Sequence, residues 1–272
     1  MAPIALETHS SQDTNNKTTL IKPWSRPKQT SEGLDWAELP KLDLSRFDGP
    51  GGKQELADQL HDAITRLGFW SVVNTGLDDE RVLRQFSIGN TFFKEPLEEK
   101  RAHPCNFAEG EYFGYRENFC WVGDTGVKEN IEMAIPAWDH IGRHKIVQEK
   151  WDEIASFHRD VWEKVVRKLF VLISMILELP ENYIADAHNY NDRSDDHLRY
   201  MIYNVRTDDE WDKAQAYSKG GHTDFGSLNS PVVPARCRSP DSHSRGRLEI
   251  RAPGRWWDYL QYSGHVDVPD EW

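Results

Sequence analysis

A chain of 272 residues, 38% hydrophobic and 11% aromatic, is long enough for one enzyme-sized core and has large side chains to line a pocket. Its formal charge of -12 and pI near 5.4 give it the same sign as phosphate backbones and anionic membrane surfaces, which argues against nucleic-acid and membrane partners. Cys105, Cys120 and Cys237 are too scattered for a disulfide framework or a zinc site. No segment reads as a signal peptide or a membrane span, and a cytoplasmic protein is expected.

In chain order, residues 1–36 are rich in Ser, Thr, Asn, Gln and Lys without periodicity and read as a flexible lead-in. LPKLDLSRF (39–47) alternates apolar and polar residues like a half-buried strand, and GPGG then breaks the chain. The spacing of Leu56, Leu60, Ile64 and Leu67 predicts a helix from Gln54, ended by Gly68 before the strand-like FWSVVN. A second helix is expected over Asp79 to Phe93, with Val82, Leu83, Phe86 and Ile88 facing the core and Pro96 closing the region. The longest helical stretch, His144 to Leu179, carries Ile154, Val161, Val165, Leu169, Leu172 and Ile176 at helical spacing before Pro180. His158 lies beside this stripe and is read as a packed or surface residue without chemistry.

After Asn189 the pattern changes. HLRYMIYNVR (197–206) mixes aromatic and β-branched residues like a strand, and a polar loop leads to GGHTDFGSL (220–228). His222 and Asp224 form His-x-Asp; two residues apart on a strand, their side chains share a face and can reach one metal ion. Imidazole plus carboxylate suits a borderline divalent cation, and a third ligand would complete the two-histidine, one-carboxylate face of iron(II) oxygenases. On its own the tripeptide is a weak signal, since such a histidine also caps turns or faces solvent.

Taken together, GGHTDFGSL, the preceding RYMIYNVR, and the earlier LPKLDLSRF and GFWSVVN resemble the isopenicillin N synthase-like branch of the non-haem iron(II), 2-oxoglutarate-dependent dioxygenases. The resemblance implies an α+β fold: a helix-rich region over 37–190, then a double-stranded β-helix, or jelly roll, starting within 191–228. It implies iron(II) at His222 and Asp224, with 2-oxoglutarate as co-substrate and molecular oxygen and a small molecule as the other reactants. Arg199 and Tyr203 match the family's Arg-x-x-x-Tyr strand. This makes Tyr203 similar to the tyrosine that contacts the co-substrate, with a sheet tyrosine packed on the core as the alternative. The reaction implied is hydroxylation, desaturation or ring formation, in specialised metabolism.

Beyond Leu228 the family pattern stops. Apolar strands, a distal histidine and an Arg-x-Ser pair are expected next, but residues 229–272 are crowded with Arg, Pro and Ser. His243 and His265 lack the surroundings of a third ligand. Permitted codons for NSPVVPARC, read from the second base, translate as TLLWSQPVA, and continuing in that frame restores apolar alternation. The segment 229–272 is therefore read as a frame-shifted tail and the jelly roll as incomplete. Two other readings stay open: a catalytically dead relative with a binding role, and an oxidase of the isopenicillin N synthase type that needs no 2-oxoglutarate.

Overall fold

The computed structural model describes residues 18–25, 39–110, 113–117, 131–136, 144–192, 196–204, 207–214, 228–232 and 257–264. The first unit is a strand, helix, strand pair. β1 (Lys41–Asp43) runs parallel to β2 (Ser71–Val73), and α1 (Gly52–Arg66) connects them. Asp43 ends β1 by accepting from the Ser45 N–H at 3.1 Å, starting a single 3-10 turn, Leu44–Arg46, in place of the longer strand expected there. Glycine is required at the start of α1, because a Cβ on Gly52 would lie 1.8 Å from the Arg46 carbonyl oxygen. α1 buries Leu56, Ala57, Leu60 and Ala63, while Ile64 and Leu67 are exposed, 39% and 40%. The predicted stripe is thus corrected: alanines complete the core face where α1 meets its neighbour, and the bulkier pair turns outward.

α2 (Asp79–Phe93) has the predicted bounds. The Asp78 carboxylate caps it, accepting from the Glu80 N–H at 2.7 Å and the Arg81 N–H at 3.4 Å. Phe86, Ile88, Phe92 and Phe93 enter the core. α3 (Leu97–Arg101) follows Pro96.

Part of the lead-in is ordered against α2, which departs from the expected flexible segment. Ile21 is buried and Trp24 stacks on Phe86 with ring centroids 4.8 Å apart. The Lys22 and Trp24 N–H groups donate to the Thr91 and Ser87 hydroxyls at 3.1 and 3.0 Å. Each hydroxyl in turn donates at 2.8 Å to the carbonyl one turn back along α2, so two buried polar residues of a core helix are satisfied. Two apolar side chains, three residues apart in a polar stretch, are enough to dock this extended strap.

The long helical stretch begins with α4 (Lys145–Glu149), capped by His144 Nδ1, which accepts from the Ile146 N–H at 3.2 Å. It continues as α5 (Trp151–Val161), a π-helical turn over Trp162–Val166, and α6 (Arg167–Ile176). The predicted stripe holds for Ile154, Val161, Val165, Leu169 and Leu172, all buried. α6 packs on α1, and Glu178, in a left-handed conformation (φ 57°), turns the chain before α7 (Tyr183–Ala187).

The main sheet has five strands in the order β3-β4-β5-β7-β6, every neighbouring pair antiparallel. They are β3 (Gly114–Glu117), β4 (Ile131–Ile135), β5 (His197–Tyr203), β6 (Leu228–Val232) and β7 (Trp257–Gly264). α8 (Asp208–Ala214) follows β5. β6 and β7 come from the stretch for which the sequence predicted no strand alternation. WDYLQYSG is rich in aromatic residues that favour strands, whereas Pro231 of β6, opposite Gln261, has no N–H to donate and sits on an edge strand, where that loss is tolerated. Among the described residues no helix is long and apolar enough to cross a membrane.

Candidate active site

β5 is the central strand, and its alternation separates two environments. Leu198, Tyr200 and Ile202 belong to the core shared with the helices, together with Tyr115 of β3 and Ala134 of β4. The Tyr200 hydroxyl donates to Gln85 Oε1 of α2 at 2.7 Å, and its ring lies on Gly89, where an added Cβ would be 2.9 Å from Tyr200 Cδ1. That close approach sets how near α2 can come to the sheet.

The same face carries a buried polar network. Lys100 of α3 donates to Glu132 of β4 and, at 3.1 Å, to the Phe93 carbonyl. Glu132 also accepts from the Tyr115 hydroxyl at 2.7 Å and from Asn204 Nδ2 at 2.9 Å. Burial would raise the Glu132 pKa, but the bonds from Lys100, Tyr115 and Asn204 outweigh it and hold the carboxyl below its ordinary value. Burial, aided by Glu132, pushes the Tyr115 phenol far above its usual range, so it serves as a neutral donor. The network joins α3, β3 and β4 to the end of β5, the segment that carries position 203.

The opposite face holds Arg116 of β3, Met133 and Ile135 of β4, and His197, Arg199 and Met201 of β5. Arg116 is paired in register with Met133, and Met133 with Met201. Arg199 Nη2 lies 3.1 Å from His197 Nε2. Cys105 borders this face, its N–H donating to the Tyr115 carbonyl at 3.0 Å. Burial raises the Cys105 thiol pKa, opposed by the positive charges of Arg116 and Arg199.

Of the residues singled out from sequence, Tyr203 is the last residue of β5, opposite Ile131 on one side and Trp257 on the other. Strand parity puts position 203 on the face of Arg199 and Met201. His222 and Asp224 lie outside the described residues, between α8 and β6. Among the described residues no group of three or more His, Cys, Asp and Glu side chains could hold a metal ion. His158 is buried, with Nδ1 3.2 Å from the Tyr190 hydroxyl, in keeping with a packed residue. Sequence reasoning passed over Arg116 and His197, whose only signal is strand parity, and Arg116 lies in a strand that carried no prediction.

Residues 39–154 match the family described as non-haem dioxygenase in morphine synthesis, N-terminal. The chain is 26% identical over 176 residues to leucoanthocyanidin dioxygenase 2 of Oryza sativa subsp. japonica, covering 61% of this chain and 47% of that protein. The N-terminal region of this chain is therefore similar to that of the non-haem dioxygenases. A UPF0676 protein of Schizosaccharomyces pombe is 25% identical over 247 residues, covering 85% of this chain and 69% of its own length. The fold is that of a putative 2OG-Fe(II) oxygenase family protein from Caulobacter crescentus, with a TM-score of 0.62 over 84% of this chain and 87% of that one, at 13% identity. The chain thus spans about half the length of its rice relative and about two thirds of its yeast one.

Proposed function

We propose that this chain derives from an iron(II)- and 2-oxoglutarate-dependent oxidoreductase that hydroxylates, desaturates or cyclises a small molecule of specialised metabolism. The observation that carries the reading is the conjunction of the N-terminal family match over 39–154 with β5 and, after it, His222-x-Asp224. His222 and Asp224 would hold iron(II); the imidazole and carboxylate fit it as donors, and a second histidine completes such a set. When bound, the iron supplies, with 2-oxoglutarate and oxygen, the oxidation of an unactivated carbon. The chain's own part is positional: Tyr203, at the end of β5, would contact the co-substrate, and the Glu132 network anchors the end of that strand through Asn204.

The sequence after Leu228 supports a slip of one base, by gene-model error or true frameshift, which removes the distal histidine and the Arg-x-Ser pair and leaves the jelly roll incomplete. Sequencing the transcript across codon 228 tests this; a message without the family-like frame downstream would refute a gene-model error. Iron- and 2-oxoglutarate-dependent succinate formation is expected from the restored chain and absent from the printed one. Turnover by the printed chain would overturn the frameshift account. Failure of the restored chain to form succinate would favour the second reading, a catalytically dead relative that keeps a binding role.

A further inference from the structure

α2 is held from two opposite sides. Gln85 and Gly89 meet Tyr200 of β5, whereas Ser87 and Thr91, about half a turn round the helix from them, carry residues 18–25. The strap is built to lie along that outer side. Thr91 and Ser87 stand four residues apart, about 6 Å along a helix, close to the spacing of about 6.6–6.8 Å between residues two apart in an extended chain. Lys22 and Trp24 use that match, with the strap running antiparallel to α2. Pro23 between them has no N–H to leave unpaired, fixes its own φ and biases Lys22 to the extended form. A third anchor lies on α4, where the Thr19 N–H donates to Glu149 Oε2 at 2.7 Å.

Side chains hold the strap lightly. Ile21 is buried and Trp24 lies on Phe86, but Leu20 is 80% exposed, and Lys22, Pro23 and Ser25 are exposed too. Every ordered residue loses backbone freedom, and Ile21 and Trp24 are the main apolar anchors that offset this. Departure of the strap would strand neither hydroxyl. Ser87 and Thr91 keep their donor bonds to the Leu83 and Ser87 carbonyls within α2, and water can replace the two strap N–H groups. We propose that residues 18–25 form a latch that detaches and redocks as one unit while α2 and the sheet stay folded. The device is a local opening of weak contacts around an unmoved core. Opening presents a side of α2 that combines two hydroxyls with the Phe86 ring, and closing covers it again. Neither iron, nor 2-oxoglutarate, nor the tail after Leu228 enters this device.

Native-state amide exchange of the full chain, followed by NMR in water and in low urea, tests the latch. The Lys22 and Trp24 amides should share one protection factor, about tenfold or more above that of an unstructured peptide. It should lie about a hundredfold or more below the protection of Ile88 in α2 and Met201 in β5. Exchange of the strap amides should respond little to urea, because opening exposes little surface. Trp24→Ala should speed both strap amides about tenfold or more and leave Ile88 and Met201 unchanged. Trp24→Phe, still able to stack on Phe86, should recover most of the protection. Thr19→Asp, which sets a carboxylate beside Glu149, should also speed the strap alone. Strap amides that exchange only together with Ile88 and Met201 would overturn the proposal, since the strap would then belong to the core. Strap amides without protection, or two with unrelated protection, would overturn it as well. Both outcomes are read on the unsubstituted chain, so they hold even if a variant fails to fold.

Discussion

The Tyr200 hydroxyl donates to Gln85 Oε1 at 2.7 Å, and one turn further along α2 Gly89 leaves room for the Tyr200 ring. A glycine inside a helix has a cost in backbone entropy, and here close packing of helix on sheet offsets it. Gly89→Ala gains helix propensity but brings a Cβ to 2.9 Å from Tyr200 Cδ1. The clash should dominate and cost about 1–3 kcal/mol. Tyr200→Phe should cost about 1–3 kcal/mol through the buried, unsatisfied Gln85 amide. Urea unfolding of the two variants measures both effects.

Lys100→Met should be among the most damaging single changes in the chain. It leaves the Glu132 carboxylate in a buried site with only neutral donors, a loss of about 3–5 kcal/mol. Lys100→Met combined with Glu132→Gln should recover part of that loss, since no charge then remains to be buried. Because the Glu132 pKa is lowered on folding, its contribution is present above the ordinary carboxyl value of 4.5 and is lost as pH falls through the lower folded value. Unfolding curves from pH 6 to pH 3 should show this acid loss in the parent chain and a smaller one in Glu132→Gln.

The helical half was legible because its periodicity comes from burial. α2 follows its predicted range, and the stripe from Ile154 to Leu172 is the buried one. The misreadings have local causes. Ala57 and Ala63 look neutral in a hydrophobicity pattern, yet they line the α1 core face and leave Ile64 and Leu67 outside. β3 and β4 were missed because GYRE and IEMAI place charged Arg116, Glu117 and Glu132 within short strands, where Arg101 and Lys100 of α3 meet the two carboxylates. The docked strap at 18–25 depends on hydroxyls of α2 that no local pattern shows. At the site, His-x-Asp could be read from spacing, but the cationic face needed the register of three strands to bring Arg116 to the side of Arg199.

His158 should resist protonation. Burial, with smaller contributions from His197 and Arg159, depresses its pKa to about 3. The unfolded chain takes up this proton below about pH 6.5, whereas the folded chain does so only near 3. The unfolded state therefore binds more protons in that window. Stability is fully present above the window and falls with acidification at up to about 1.4 kcal/mol per pH unit from this group. NMR of the imidazole should show no titration between pH 6.5 and 4. His158→Gln, able to keep a bond to Tyr190, should flatten the acid limb over the same range.

The tail offers the last test, in the backbone of β6. Leu228–Val232 pairs with Trp257–Gly264, and Pro231, opposite Gln261, sits on the edge strand. The shifted frame replaces Asn-Ser-Pro-Val after Leu228 by Thr-Leu-Leu-Trp, which supplies a donor at every position and the β-branched, apolar and aromatic residues that favour a pleated surface. A chain carrying the restored frame should therefore melt more cooperatively and at higher temperature than the printed chain, and it should aggregate less because fewer strand edges and apolar faces are exposed. Calorimetry and light scattering on the two chains make the comparison. The single substitution Pro231→Val separates this position from the rest of the tail: on an edge strand it should change stability by less than about 1 kcal/mol, through strand propensity alone. If the restored chain melts no higher than the printed one, the tail is not the defect that the sequence suggests.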